Sequence, residues 1–120
     1  MKIVSIEVAK AIKEAGYPQG TENTAYYNEN GVLIKPFVFN GGYEIADAPT
    51  YIEAWLWIWR EKKIFIEVTK TTSIRGTSHF IQFAELDTNS FFIDKINNDT
   101  DTEDAIEAAI EYLVENDLIK

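Results

Sequence analysis

Apolar residues recur at two spacings along this chain, and the switches between them mark its elements. Near the start, Val4, Val8, Ala9 and Ile12 fall at helical spacing, which predicts a first helix over residues 6–15 with one modest apolar stripe. Ser5 can cap its first turn, and Gly16 followed by Pro18 supplies a stop. A hairpin follows: residues 24–27 and 32–35 flank Asn28-Glu29-Asn30-Gly31, and Asn-Gly is a strong turn signal because both residues tolerate positive φ. Pro36 to Phe39 can extend the second strand, Asn40-Gly41-Gly42 breaks it, and residues 43–48 read as a loop.

The most apolar helix spans residues 50–63 and carries all three tryptophans. Thr50 and Glu53 form a capping box, with Ala48-Pro49 breaking the chain just before. At about 100° per residue, Ile52, Trp55, Leu56 and Trp59 share one face, with Tyr51 and Ile58 on its flank. This face is expected to sit at the centre of the core. Trp57 points elsewhere, toward Glu53, Arg60 and Glu61. It is either covered by another helix or by the 43–48 loop, or left open as an anchor for a partner, a role in which tryptophan is enriched.

The spacing then changes to two. Ile64, Ile66 and Val68 alternate with Phe65, Glu67 and Thr69, which predicts a half-buried strand. Residues 71–78 read as a polar loop and residues 79–86 as the partner strand, whose core side is ambiguous because Phe80, Ile81 and Phe83 put bulk on both faces. After a turn at 87–90, Phe91 to Ile93 predicts a short third strand. Helical spacing returns at Ile106, Ala109, Ile110 and Leu113, a last helix over about 103–114 capped by Thr102 or Thr100. The sum is an α+β domain of order α-β-β-α-β-β-(β)-α, with antiparallel strands in one sheet or two small ones and both later helices packed on a face.

Composition narrows the function. The 120 residues carry a net charge of −9, no cysteine and one histidine. Without Cys, neither disulfides nor thiolate chemistry is open, and a structural zinc site is close to excluded. No metal and no cofactor are expected. The longest purely apolar run, Ala54 to Trp59, is far below the ~20 residues of a membrane helix. The opening residues do not read as a signal peptide, so the expected setting is cytoplasmic. The charge is polarised: residues 60–75 hold five cations and two acids, while residues 76–120 hold two cations and eleven acids. Such an acidic whole argues against direct nucleic-acid binding, which needs cations to displace counterions.

Candidate chemistry is sparse. The run from Asn97 to Asp104 fails as an EF-hand loop, because neither frame puts Gly and Glu where the loop needs them. His79 has Ser73 and Ser78 nearby in sequence but no nucleophile context. Gly41-Gly42 lacks a P-loop lysine, and Tyr26-Tyr27 with Phe37 and Phe39 could stack bases only beside a single cation, Lys35. No catalytic residue is named, and an enzyme is the less favoured class. Two surfaces stand out. One is a partner surface of Trp57, Arg60, Lys63, Lys70 and Arg75. The other is the row Glu107, Glu111 and Glu115, which could imitate nucleic acid in an acidic inhibitor, unless its carboxylates pair with Lys62, Lys63 and Lys70.

Three stretches together resemble small uncharacterised proteins of gut Bacteroidetes, often found in phage or mobile-element settings. They are Ala48-Pro49-Thr50 leading to Trp59-Arg60-Glu61, the terminal segment from Thr102 to Asn116, and the opening Ile6-Glu7-Val8-Ala9-Lys10 with Lys13-Glu14-Ala15-Gly16-Tyr17. The resemblance implies origin and architecture, and carries no activity or site residue. The expected function is a non-catalytic binding or accessory protein acting through protein contacts. An acidic mimic and a small ligand-binding protein or enzyme without a motif are the other classes. The oligomeric state is left open.

Overall fold

A computed structural model describes residues 2–20, 24–36, 41–74, 76–85, 90–98 and 102–119, with side chains left out at 70–73, 76–80, 85, 90–98 and 102. The elements run α1 (Ile6–Glu14), β1 (Tyr26–Asn28), β2 (Leu33–Ile34), β3 (Glu44–Asp47), α2 (Tyr51–Lys62), β4 (Ile64–Ser73), β5 (Gly76–Glu85), β6 (Ser90–Asn98) and α3 (Thr102–Glu115). The strands form two antiparallel sheets of order β2-β1-β3 and β4-β5-β6. The α+β class and the two-sheet form of the expected architecture are therefore observed.

Helix ends follow the sequence closely. The Ser5 hydroxyl accepts from Val8 N at 3.3 Å. At the other end Gly16 N donates to Lys13 O and Tyr17 N to Ile12 O, a Schellman closure that needs the positive φ of Gly16. The Thr50–Glu53 capping box is formed in both directions. Helices α2 and α3 end on left-handed residues that are not glycine, Lys63 at φ 56° and Asp117 at φ 53°.

The first hairpin turns on one buried side chain. Asn28 Oδ1 accepts from Asn30 N and Val32 N, and its Nδ2 donates to Gly41 O at 2.9 Å. The side chain thus closes the turn and ties it to the segment ahead of β3. Residues 43–48 are not a loop: Glu44–Asp47 pairs with β1 through Tyr27↔Ala46 and Tyr26↔Asp47. Its short run of mixed residues, Glu-Ile-Ala-Asp, has no clean alternation, and its strand state comes from the β1 edge it completes. The proposed extension over 37–39 lies outside the described residues.

The second hairpin is longer than its pattern suggested. β4 and β5 stay in register from Ile64↔Glu85 to Ser73↔Gly76, so the supposed loop at 71–78 is mostly paired strand around a two-residue tip. Thr and Ser read as loop residues by polarity, yet threonine is a good strand former. β6 runs to Asn98, well past Ile93. The core side is settled as well, because Ile81 and Phe83 are buried with Ile64 and Ile66, while Gln82 is exposed.

The helices lie between the sheets. α1 packs on β3 through Val8, Ala9 and Ile12, and α3 lies across β4, β5 and β6, with Tyr112 stacked on Phe83 at 5.4 Å. The face of α2 differs from expectation. Its buried residues are Tyr51, Ala54 and Ile58, whereas Ile52, Trp55 and Leu56 are half-buried and Trp59 is 43% exposed. The helix is rotated so that small Ala54 meets its neighbours and the indoles flank the contact. Burying Ile58 fully contributes about 1.5–3 kcal/mol. The core is therefore mainly aliphatic, and the tryptophans border it.

A clasp from the start of the chain joins these layers. Tyr51 N donates to Lys2 O at 3.0 Å, Val4 N donates to Pro49 O at 2.9 Å, and the Lys2 ammonium reaches Asp104 and Glu107 on α3.

Candidate functional site

The rotation of α2 leaves an open groove along its outer flank. Its volume is about 460 Å³, and Tyr17, Pro18, Glu53, Leu56, Trp57, Arg60 and Glu61 line it. One wall is the outer face of α2 and the other is the chain leaving α1. The Schellman turn at Gly16 places Tyr17 there, with its ring edge-on to Trp57 at 5.2 Å and 71°. Among the described residues, this turn covers one side of Trp57. The Lys62 ammonium stands 5.6 Å from the centre of the Trp57 ring, within cation–π range. Burial, with Glu53 and Asp47 nearby, raises the Tyr17 hydroxyl above its usual pKa, so it stays a neutral donor at physiological pH.

The groove is amphipathic. Trp57, Leu56, Tyr17 and Pro18 give apolar contact, and Glu53, Arg60 and Glu61 supply both signs of charge at its margin. Its described lining includes no Ser, Thr, Cys, Lys or His. Among the described residues no cluster of His, Asp or Glu could hold a metal ion, and no helix is long and apolar enough to cross a membrane. The side chain of His79 lies outside the described residues, as do residues 99–101 of the acidic run.

The groove brings Trp57 and Arg60 together. Lys63, exposed at the end of α2, does not line it, and the Lys70 side chain and Arg75 lie outside the described residues. Tyr17 and Pro18 were missed. Their signal was the helix stop at Gly16, which says where α1 ends but not which wall the following residues meet. On the opposite flank Trp59 sits edge-on to Phe65 at 6.4 Å, and both are partly exposed.

The acidic row is largely engaged inside the fold. Glu107 meets the Lys2 ammonium at 2.9 Å. Glu111 accepts from the Tyr51 hydroxyl at 2.7 Å and from the Ser5 hydroxyl at 3.2 Å. Glu115 is exposed. Among the described residues the partners are thus Lys2, Ser5 and Tyr51, and neither Lys62 nor Lys63; the Lys70 side chain lies outside them. Desolvation, and then the Glu111 hydrogen bond, hold the Tyr51 hydroxyl well above its usual pKa.

Fold and groove define an α+β protein with an amphipathic surface groove. Comparison of the chain with protein-family models, curated proteins and solved structures returned no significant match, so no site residues transfer from relatives.

Proposed function

We propose that this chain is a non-catalytic binding or accessory protein that docks a protein partner in the groove beside Trp57. The observation that carries the reading is the groove itself: a half-open tryptophan, braced by Tyr17 and Lys62, beside an exposed arginine. Tryptophan and arginine are the residues most enriched among interface hot spots, and a braced indole loses little freedom on binding. The setting that goes with this reading is cytoplasmic and, on the resemblance stated above, phage-derived. The acidic-mimic reading carries less, because Glu107 and Glu111 already have partners within the fold.

The test is affinity capture with wild type, Trp57→Ala, Arg60→Glu and Glu115→Gln, followed by titration of any captured protein onto pure chain. Loss in the first two variants and retention in Glu115→Gln supports the groove. Capture indifferent to Trp57 and Arg60, or sensitive only to Glu115, overturns it.

A further inference from the structure

Two side chains that line the Trp57 groove carry donors that the fold does not use. Among the described residues neither the Trp57 indole N–H nor the Tyr17 hydroxyl has a hydrogen-bond partner, whereas Trp55 Nε1 donates to Ile66 O at 3.2 Å. The two rings stand 5.2 Å apart and nearly at right angles, and Pro18 and Leu56 continue the apolar lining. An occupant that matches this needs flat apolar bodies beside carbonyls that nothing else engages. A polyproline II segment offers both, since its backbone makes no internal hydrogen bonds and proline has no N–H to leave unmatched. A helix does not, because its carbonyls are already paired along its length.

The charges of the groove stand toward its two ends. Glu53 and Arg60 both line it. Their spacing along α2 puts them on one face of the helix, about 10 Å apart. At the first end Glu53 uses Oε1 to accept from Thr50, which leaves Oε2 for an incoming cation. Asp47 adds a second negative charge near the Tyr17 hydroxyl. At the other end the Arg60 guanidinium has no ion-pair partner among the described residues, and Arg60 with Lys62, at the Trp57 ring, outweighs Glu61. Polyproline II rises about 3.1 Å per residue with three residues per turn, so residues i and i+3 share one side about 9 Å apart. That spacing matches Glu53 and Arg60.

We propose that this groove binds a proline-rich segment of a partner protein in the polyproline II conformation, with a basic residue at Glu53 and an acidic residue three places away at Arg60. This deepens the groove reading and rests on it. The prolines between the two charges lie against Trp57 and Tyr17, whose N–H and O–H take carbonyls of the segment. Aromatic-lined grooves suit such segments because the segment is extended before it binds and loses little freedom. A second copy cannot supply the occupant, since the chain's three prolines, Pro18, Pro36 and Pro49, are far apart in sequence.

The experiment titrates three peptides onto the isotopically labelled chain and follows its indole and backbone amide signals. The first is Ala-Pro-Arg-Pro-Pro-Glu-Pro-Ala. The second replaces its Arg and Glu by Gln, and the third keeps both charges and replaces every Pro by Ala. The first is expected to move the Trp57 indole N–H and the Tyr17 and Arg60 amides saturably, and to leave the Trp55 indole N–H, which is bonded within the fold, in place. It should bind about fivefold tighter than the second and about tenfold tighter than the third. Trp57→Phe and Tyr17→Phe each keep a ring and lose a donor, and should weaken binding by about fivefold. Glu53→Gln keeps the capping box, removes the charge, and should abolish the preference for Arg in the peptide. Arg60→Glu should weaken the first peptide and favour a version with Arg in place of its Glu. No saturable shift at Trp57, equal binding of the three peptides, or shifts confined to Trp59 and Phe65 overturns the proposal. Any of these with partner capture still dependent on Trp57 and Arg60 overturns this inference alone; capture indifferent to both residues removes the groove reading as well.

Discussion

The hydroxyl of Tyr51, in the first turn of α2, donates to Glu111 on α3 at 2.7 Å, and the Ser5 hydroxyl shares the same carboxylate oxygen. Ser5 N also donates to the Tyr51 hydroxyl at 3.2 Å. Three helices are thus joined at one polar point beside the apolar core. Tyr51→Phe removes the middle of this point and leaves Glu111 with Ser5 alone. The expected loss is about 1–2 kcal/mol in denaturant unfolding.

The same tyrosine predicts an alkaline limit. Its hydroxyl titrates above its ordinary value of 10.0 in the fold, because burial and Glu111 disfavour the phenolate. Tyr17 and Tyr27 shift the same way, chiefly through burial. Above pH 10 the unfolded chain releases these protons first, so it binds fewer protons than the native state and stability falls as pH rises. Stability should be level with respect to these groups below pH 10 and decline above it. Tyr51→Phe should make the decline shallower, as checked by urea midpoints from pH 8 to 11.

Asn28→Ala should be costly for a side chain so far from the main core. It removes an acceptor from two backbone N–H groups and a donor from Gly41 O. A loss of about 2 kcal/mol is expected, with exchange rising first at Asn30 and Val32. Asn28→Asp should retain the turn and lose only the bond to Gly41.

Lys63→Gly should stabilise the protein. Lys63 ends α2 at φ 56°, where a side chain is strained and glycine is not. The gain should be up to about 1 kcal/mol, offset in part by a more flexible unfolded chain. A fall in the denaturation midpoint would show that the lysine side chain is doing more than ending the helix.

Trp57 and Ile58 are neighbours in sequence with opposite roles. Ile58→Ala opens a cavity in the core and should cost about 2–5 kcal/mol. Trp57→Ala removes a groove wall and its contact with Tyr17, for about 1–2 kcal/mol. If the two costs were equal, Trp57 would be a core residue and the groove would lose its basis.

Local rules made some parts of the fold readable. Ser5, Gly16 and the Thr50–Glu53 box are satisfied by atoms within a few residues, and the chain turns at Asn30-Gly31 with Gly31 alone at positive φ. What failed depended on remote partners. The face of α2 was misassigned because hydrophobicity ranks Trp above Ala, whereas close packing rewards the small Ala54 where elements approach. β3 was missed because a four-residue strand gets its identity from the edge it completes. Of the groove, Trp57, Glu53, Arg60 and Glu61 could be placed side by side from helix geometry. Tyr17 could not, since nothing in Gly16-Tyr17-Pro18 tells which surface a finished turn will meet. The Tyr51–Glu111 bond spans sixty residues and has no local signal.

The clasp at Lys2 joins parts of the chain that are far apart in sequence. Its carboxylate partners, Asp104 and Glu107, are made some hundred residues after it. Until α3 emerges from the ribosome, part of the cover over α1 is missing, and the stripe of Val8, Ala9 and Ile12 waits for it. Contacts of such long sequence separation form late, because the intervening chain must be ordered before they reward it.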